Sequence, residues 1–587
     1  MNLFRTVLSI GLGLALCACA AQRQEPRANR IVGLTAIGAT PSGAYLAARH
    51  AQQARDHARA ADLYARALVF APDDPELLRR TFNAMASEGR IDEAASLAER
   101  LQRQQITIQM ATLVSAVHAA KNGDLFRAEA ELARLPESGF NNFISPLLQA
   151  WMKSARGDIP AALKALKTME ETRGFEAFAN LHAGLILDLA DDKPAAAERY
   201  GKVLAGAGSF IRAVQAVASF HARNGQPDRA RDIYLAFETT NPDIGLGRIA
   251  MAELSSSIKA ERIVDTPHDG MAEALFDLAS LLHQQNVDEV ALVLVRLSLY
   301  LRPDFEIAKL LVADILENSG QGELAVAIYE SLPPNSLFNW SARLRAAAIL
   351  DNLGRIDEAV ARLDAMAGEQ PKSIDALVTM GDLLRSKERF AEAVTAYDRA
   401  VARIGRLERR HWSILYARGI TLERTKQWER AESDFLKALE FNPEQPHLLN
   451  YLGYSWVERG VHLEQALKLI EKAVKLRPDD GYIIDSMGWV LYMMGSYDGA
   501  VSHLERAAEL RSQDPVINDH LGDAYWMVGR QLEARFQWRR ALSLKPEPDL
   551  IKTIESKLER GLPEQKSVRG NHQETTTAPT PTAGQGI

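Results

Sequence analysis

The sequence predicts an all-α fold, a solenoid built from about fourteen helical hairpins. Three observations predict it: small residues recur every 34 residues, apolar residues within each repeat follow the spacing of two helices, and proline ends many repeats. A length of 587 residues, about four times that of one domain, also favours a repeat array over a single core.

The composition limits the class of protein. With 47% apolar and 25% charged residues, the chain has the composition of a folded soluble protein, which argues against wholesale disorder and against a polytopic membrane protein. A net charge of −7 argues against a nucleic-acid partner. The two cysteines, Cys17 and Cys19, both lie near the start, so neither disulfides nor a cysteine-bound metal is expected to stabilise the fold.

The first twenty residues have the pattern of an export signal. Arg5 precedes an apolar stretch at residues 7–16, and Leu16 and Ala18 stand before Cys19. This segment resembles the lipobox of bacterial lipoproteins, and Cys17 fits that pattern less well. The resemblance implies that residues 1–18 are a signal peptide, that Cys19 is lipidated, and that the protein faces the periplasm from the outer membrane. A plain secretory signal, giving a soluble periplasmic protein, and an uncleaved signal anchor are the alternatives.

Two segments at the ends are expected to lack a packed structure. Residues 19–40 are polar or small without a sustained helical period, and we expect a flexible tether that leads from the lipidated Cys19. Residues 567–587 are rich in threonine, proline and glycine, which predicts a disordered tail.

Alanine carries the repeat signal. We call the alanines that recur in three registers, separated by 34 or 35 residues within each, the marker alanines. They are Ala60, Ala94, Ala128, Ala162, Ala196, Ala230, Ala291, Ala325, Ala359, Ala393, Ala431, Ala466, Ala500 and Ala534. They predict fourteen units.

Other positions recur around the marker. Glycine stands twelve or thirteen residues before it, at Gly381, Gly419, Gly453, Gly488 and Gly522. An aromatic residue often follows four residues after it, as at Tyr397, Phe435 and Trp538. Proline follows twelve residues after it at Pro443, Pro478 and Pro546, among others. This pattern resembles the tetratricopeptide repeat, which implies helical hairpins in a right-handed superhelix and a protein-binding role.

Each recurring position has a physical reason. Within one repeat, Gly419 lies on the apolar face of the first helix, and Ala431 and Phe435 lie on one face of the second. Because glycine and alanine have almost no side chain, the two helices can approach closely, and the aromatic ring fills the space beside the contact. Proline then ends the second helix. One hairpin cannot bury its apolar face alone, so neighbouring hairpins must stack.

Breaks in the period divide the chain. Six units are expected at residues 41–244, middle units at 272–410 and the most regular units at 411–566. The 61 residues between Ala230 and Ala291 leave an insertion at 245–271, in which Pro267 and Gly270 suggest a loop. This insertion is either a hinge between two solenoid segments, which we favour, or an excursion lying on the groove.

The sequence predicts no enzyme. The sequence has no H-E-x-x-H, G-x-S-x-G or Walker A motif and no two-part cysteine motif. We therefore expect no catalytic residue, cofactor or metal. His50 and His57 lie seven residues apart, but two imidazoles without a third ligand make a weak metal site. Carboxylate pairs such as those ending in Asp74, Asp192 and Asp480 stand before helix starts, where they are expected to cap free N–H groups.

The expected binding surface is the concave wall, which first helices line in stacked repeats of this kind. Tyrosine and tryptophan are favoured in binding hot spots, and asparagine and aspartate can bond the backbone of an extended peptide. Alternatively, Trp489 and Trp526 only pack between adjacent first helices. The wall positions of the last units are Tyr416, Asn450, Tyr454, Asp485, Trp489, Tyr492, Asp519, Asp523 and Trp526.

Residues 449–507 carry a narrower resemblance, which extends over roughly the last 170 residues before the tail. This stretch is similar to the C-terminal repeats of proteobacterial outer-membrane repeat lipoproteins, a family that includes an adaptor of a periplasmic carboxyl-terminal processing protease. The resemblance implies a scaffold that presents peptidoglycan hydrolases to that protease. A scaffold for exopolysaccharide export or for envelope protein assembly is the alternative, and the oligomeric state stays open.

Overall fold

The computed structural model describes residues 40–205, 210–240 and 261–562. It divides into two compact units, which we call unit 1, ending at Leu353, and unit 2, beginning at Gly354. Helices account for more than three quarters of the described residues, and no strand occurs within these ranges. The segments for which we predict a signal peptide, a tether and a disordered tail lie outside the described residues, apart from Thr40 at the end of the tether. Most of the predicted insertion at residues 245–271 also lies outside them.

Unit 1 holds seventeen α-helices in its described residues. They are α1 Pro41–Gln53, α2 His57–Phe70, α3 Pro75–Glu88, α4 Ile91–Arg103, α5 Gln109–Lys121, α6 Leu125–Leu132, α7 Asn141–Ala155, α8 Ile159–Glu170, α9 Glu176–Leu189, α10 Lys193–Ala205, α11 Ile211–Arg223, α12 Pro227–Thr240, α13 Pro267–Gln284, α14 Asp288–Leu301, α15 Glu306–Asn318, α16 Gly322–Glu330 and α17 Asn339–Asn352.

Unit 2 holds twelve α-helices in its described residues, and a short 3₁₀ turn at Arg409–His411. The α-helices are α18 Ile356–Glu369, α19 Asp375–Ser386, α20 Phe390–Ile404, α21 Trp412–Arg424, α22 Trp428–Phe441, α23 Pro446–Glu458, α24 Leu463–Leu476, α25 Gly481–Met493, α26 Tyr497–Leu510, α27 Pro515–Met527, α28 Gln531–Ser543 and α29 Pro548–Arg560.

The marker alanines lie where a hairpin requires them. Each falls on a different even-numbered helix from α2 to α28, and none is more than 1% exposed. Odd-numbered helices are therefore the first helices of the repeats, and even-numbered helices the second. The predicted fold class, an α-solenoid of helical hairpins, is confirmed for each unit.

Glycine on the first helix makes room for the side chain four residues after the marker. A Cβ atom added at Gly419 would lie 2.5 Å from the Phe435 ring, and one at Gly522 would lie 2.5 Å from the Trp538 ring. The other three repeat glycines meet a side chain at the same repeat position. Gly381 faces Tyr397, Gly453 faces Ile470 and Gly488 faces Leu504.

Carboxylates begin several helices, as the sequence predicts. Asp74 accepts from the N–H of Leu77 at 2.7 Å, and Asp480 accepts from the N–H of Tyr482 at 3.0 Å. These bonds satisfy N–H groups that have no partner within the helix. The carboxylate pairs are thus explained by helix capping.

The expectation of a loop at Pro267 and Gly270 is wrong. Pro267 is the first residue of α13, where its missing N–H is not needed, and Thr266 and Asp269 form a capping box around it. Gly270 lies in the first turn of that helix. We favoured a hinge between two solenoid segments at this insertion. The chain does not divide into compact units there, because unit 1 continues to Leu353.

We expect Gly419→Ala to destabilise unit 2 by about 1–3 kcal/mol, because the new methyl group would overlap the buried Phe435 ring. Urea unfolding followed by circular dichroism measures this loss. Gly368→Ala is the matched control: Gly368 lies in α18 with no atom within 4 Å of its added Cβ, so it should stabilise by about 0.5–1 kcal/mol. Equal effects of both changes would contradict the close contact.

Candidate protein-binding wall

Four of the predicted wall residues are not on an open surface. Asp485, Tyr492, Asp519 and Asp523 are only 4–6% exposed, and they lie on α25 and α27. These two first helices are buried on almost every face along residues 483–488 and 517–525. The assignment of these four side chains to an exposed groove is therefore corrected.

The acidic pair on α27 is occupied by the chain itself. Lys557, on the last helix α29, contacts both carboxylates, with Nζ 2.7 Å from Asp519 Oδ2 and 2.7 Å from Asp523 Oδ2. Trp538 also donates its indole N–H to Asp523 Oδ1 at 2.8 Å. Burial and the neighbouring Asp519 carboxylate raise the pKa of Asp523 to about 6, against the opposing effect of Lys557.

Trp489 is held in a stack of rings. It lies parallel to Tyr492, with ring centroids 4.7 Å apart, and parallel to His520, at 4.0 Å. Its indole N–H donates to Glu458 Oε1 at 2.8 Å. Burial alone would lower the pKa of His520, but the Asp485 carboxylate, 3.0 Å away, outweighs it and raises that pKa. Trp489 therefore joins α23, α25 and α27.

Trp526 also serves packing. Its ring lies 5.4 Å from the Trp538 ring, and its edge fills the space beside Gly561. The alternative, packing between adjacent first helices, describes the contacts of Trp489 with Glu458 and His520, whereas Trp526 contacts Trp538 on the second helix α28 and Gly561 after α29. Both tryptophan side chains are half-buried.

The wall remains open on α21 and α23. We call Tyr416, Asn450 and Tyr454, which are half-buried on these two first helices, the open wall. Tyr416 packs edge-on against Tyr451, with ring centroids 6.0 Å apart. Burial and the nearby Glu458 carboxylate raise the pKa of Tyr454, so its hydroxyl stays protonated. Asn450 Oδ1 is itself buried, and it has no hydrogen-bond partner within the described residues.

The corresponding face of unit 1 is covered by its own chain. The α13–α14 hairpin packs against four first helices: α13 lies on α7 and α9, and α14 lies on α3 and α5. Gly270 permits the closest approach, since a Cβ there would lie 2.3 Å from the Trp151 ring of α7. This hairpin begins at Pro267, within the last residues of the predicted 245–271 insertion.

Polar side chains fix α13 in that place. Trp151 donates its indole N–H to His182 Nδ1 at 2.9 Å, and His182 Nε2 lies 3.2 Å from Asp277 on α13. Because Trp151 can only donate, His182 Nδ1 accepts and Nε2 carries the proton toward Asp277. Glu273 is fully buried, which raises its pKa, and Arg212 compensates with Nε 3.0 Å from Glu273 Oε2. The covered face is thus specifically bonded.

The sequence carries a signal for this covering that periodicity alone did not reveal. The first helices α5 and α9 are buried over residues 111–117 and 179–188, on nearly all sides. A helix that is apolar all round must be covered on both sides. By contrast, the lysine that neutralises Asp519 and Asp523 lies more than thirty residues away and has no local signal.

Nothing in the described ranges suggests catalysis. No three histidine, cysteine, aspartate or glutamate side chains there come together as a metal site. None of the described helices combines the length and apolar character that crossing a bilayer requires.

Residues 344–408, 378–446 and 416–481 match the family model of the tetratricopeptide repeat. This part of the chain consists of tetratricopeptide repeats. The predicted resemblance to that repeat is therefore confirmed, and tetratricopeptide repeats indicate a scaffold for protein–protein interaction. Repeats of this kind are generally non-catalytic, and the family match indicates no enzyme.

Two curated relatives are similar over part of their length. The TPR repeat-containing protein PA4667 of Pseudomonas aeruginosa is 32% identical over 155 residues, 26% of each chain. The BBSome complex member BBS4 of Bos taurus is 24% identical over 206 residues, 35% of each chain. The chain therefore spans about a quarter and a third of the lengths of these two relatives.

Among solved structures, the chain is similar to one from the anaphase-promoting complex hetero-tetramer Cut9–Hcn1. That similarity has a TM-score of 0.35 and 16% identity, over 91% of this chain and 99% of that one. The tetratricopeptide-repeat protein YrrB, described as having an unusual peptide-binding site, gives a TM-score of 0.27 and 20% identity, over 33% of this chain and 97% of that one.

The raised pKa of Asp523 predicts a pH dependence of stability. The carboxyl group of Asp523 has the ordinary pKa of 3.8 in the unfolded chain, so the folded chain binds its proton more tightly. The stability that this group contributes is therefore highest below about pH 4, and it falls as the pH rises through about 6. Asp523→Asn should remove this slope, worth up to about 3 kcal/mol.

Urea unfolding of unit 2 at a series of pH values measures the difference between Asp523→Asn and the wild type. Asp549→Asn, which changes a fully solvated carboxylate on α29, is the matched control and should leave the pH profile of the wild type unchanged. An Asp523→Asn profile parallel to that of the wild type would refute the proposed burial of the acidic pair.

Proposed function

We propose that the protein is a non-catalytic scaffold that binds an extended segment of a partner protein on the open wall of unit 2. The observation that carries the proposal is the contrast between equivalent surfaces. The first helices α3, α5, α7 and α9 of unit 1 are covered by α13–α14, and α25 and α27 are bonded to their neighbours, whereas α21 and α23 present Tyr416, Asn450 and Tyr454.

The open wall has the chemistry that an extended polypeptide requires. Half-buried tyrosines offer large contact areas at little cost in side-chain entropy. The side-chain amide nitrogen of Asn450 can donate to a backbone carbonyl. Glu423 and Glu458 lie on the same two helices, so a partner segment with basic side chains fits better than an acidic one.

We further propose where the scaffold acts. The N-terminal pattern supports attachment through a lipid on Cys19 to the periplasmic face of the outer membrane. There the scaffold would bind a carboxyl-terminal processing protease and present peptidoglycan hydrolases to it, as the similarity of residues 449–507 to such adaptors suggests. Holding two proteins on one chain raises their effective concentration without any new chemistry.

Co-purification from solubilised membranes tests the partner class. A protease together with hydrolases supports the adaptor proposal, whereas components of exopolysaccharide export or envelope assembly would support the alternative scaffold. Recovery of the mature chain from membranes in a Cys19→Ala variant would contradict anchoring through that cysteine.

The double variant Asn450→Ala/Tyr454→Ala should reduce partner recovery by at least about tenfold, because both side chains would contact the partner segment. Both side chains are half-buried, so a modest fall in the thermal midpoint is expected together with the loss of recovery. The matched control is Gln465→Ala/Lys468→Ala, two exposed positions on α24 of the same hairpin, which should leave recovery unchanged. Equal recovery with both double variants would remove the open wall as the binding site.

A further inference from the structure

The second helix of the last repeat, α28, exposes two large apolar side chains. Leu532 is 83% exposed and Phe536 is 61% exposed. Because they are four residues apart, they lie one turn apart on the same face of the helix. Neither belongs to the buried cluster around Trp538 and Ile554, which holds α28 and α29 together. The pair therefore contributes little to the packing of the repeat.

The equivalent positions of the other regular repeats are polar or small. Leu532 and Phe536 stand two residues before and two residues after the marker alanine of α28, and the residues at these positions in the four preceding second helices are all exposed. They are Ala391 and Thr395 in α20, Glu429 and Ser433 in α22, Glu464 and Lys468 in α24, and Asp498 and Ser502 in α26. Since the repeat itself does not require apolar residues there, the exposed pair on α28 indicates an interaction surface.

Arg539 extends the apolar pair into a basic stripe. It is exposed and lies three residues after Phe536, so the side chains share one face of α28. We call Leu532, Phe536 and Arg539 the α28 stripe. The helix has three arginines and one glutamate, although the whole chain has a net charge of −7. The charge of the stripe is therefore complementary to an acidic partner.

The neighbouring helix limits how wide that partner can be. Arg530, just before α28, pairs with Glu505 of α26 at 3.0 Å, so α26 lies beside α28. α26 carries three acidic side chains and one arginine. An anionic bilayer laid on the stripe would also approach these acids to within the Debye length of about 8 Å and be repelled by them. A single helix, about 10 Å across, covers the stripe alone.

A second copy of this chain fits the stripe poorly. In a two-fold symmetric pair, the same patch of each copy meets itself. The three arginines of one α28 would then face the three arginines of the other, with only one glutamate on each helix to offset them. The charge distribution thus favours a different protein.

The stripe also favours a helix over an extended segment. Leu532 and Phe536 offer no hydrogen-bonding group, so an extended backbone laid on them would lose water from its N–H and C=O groups without replacement. A helix satisfies these groups internally, and it can present apolar side chains at the spacing of the stripe.

We propose that the α28 stripe binds an acidic, amphipathic helix of a partner protein. The apolar side chains of that helix pack against Leu532 and Phe536, and one of its carboxylates pairs with Arg539. The stripe lies on a second helix, whereas the open wall lies on the first helices α21 and α23, so this inference does not depend on the extended segment proposed to bind there. Unit 2 thereby offers separate sites to a basic segment and to an acidic helix.

Isothermal titration calorimetry on the full chain tests the stripe. The probe is an acetylated and amidated peptide of three Leu-Glu-Ala-Ala-Leu-Glu-Ala repeats, which should bind with a Kd below about 1 mM. The same peptide with serine in place of leucine should bind at least about tenfold more weakly. Because the chain is acidic overall, general electrostatic attraction does not favour either peptide. No binding of the leucine peptide at about 1 mM, or equal affinity for both peptides, overturns the proposal.

Variants locate the binding. Leu532→Ser/Phe536→Ser and Arg539→Glu should each weaken binding of the leucine peptide at least about tenfold. All three side chains are exposed, so both variants should unfold at nearly the temperature of the wild type. The matched control Ala391→Ser/Thr395→Ser changes the equivalent positions of α20 and should have no effect. Affinity that either stripe variant leaves unchanged overturns the assignment.

Further measurements separate this site from other occupants. Asn450→Ala/Tyr454→Ala should leave binding of the leucine peptide unchanged, so a failure of the open wall and a failure of the stripe are distinguishable. In sedimentation velocity, a wild-type dimer that Leu532→Ser/Phe536→Ser converts to a monomer would identify a second copy as the occupant and overturn the proposal. Flotation of the Cys19→Ala chain with phosphatidylglycerol vesicles, lost in the same double variant, would overturn it in favour of a membrane.

Discussion

The close approach of two helices at an alanine is the contact on which each hairpin depends. Every marker alanine is almost completely buried, and in the regular repeats a glycine on the facing helix leaves space for a ring or a branched side chain. Protein interiors are packed as densely as organic crystals, so a larger residue at either place forces the helices apart. Each hairpin buries one face in this way. Its other faces must be covered by a neighbouring hairpin or remain available to a binding partner.

Coverage of the first helices therefore determines what the chain can bind. In unit 1, α13–α14 covers α3, α5, α7 and α9 and is fixed by buried polar contacts such as the one between His182 and Asp277. In unit 2, Lys557 neutralises the acids of α27. The open wall on α21 and α23 is the surface on which we propose that a partner binds.

Much of the fold could be predicted from the sequence because its determinants are local and periodic. The marker alanines, Gly419 and Asp74 all act within one or two helices of their own position. The structure departs from prediction where distant segments meet. The sequence around Pro267 is equally consistent with a loop and with a helix start. The burial of Asp519 depends on Lys557, which lies 38 residues later in the chain. Position within the repeat therefore predicted which helix carries each wall residue, but not which of them are covered.

Hydrogen–deuterium exchange of the full chain, with and without its co-purified partner, tests the central claim most directly. Partner binding at the open wall should slow amide exchange in α21 and α23 and leave α3, α5, α7 and α9 unchanged, because α13–α14 already covers those helices. Slower exchange in the covered helices of unit 1 on addition of the partner, with no change in α21 and α23, would show that the partner displaces α13–α14 and would contradict the account.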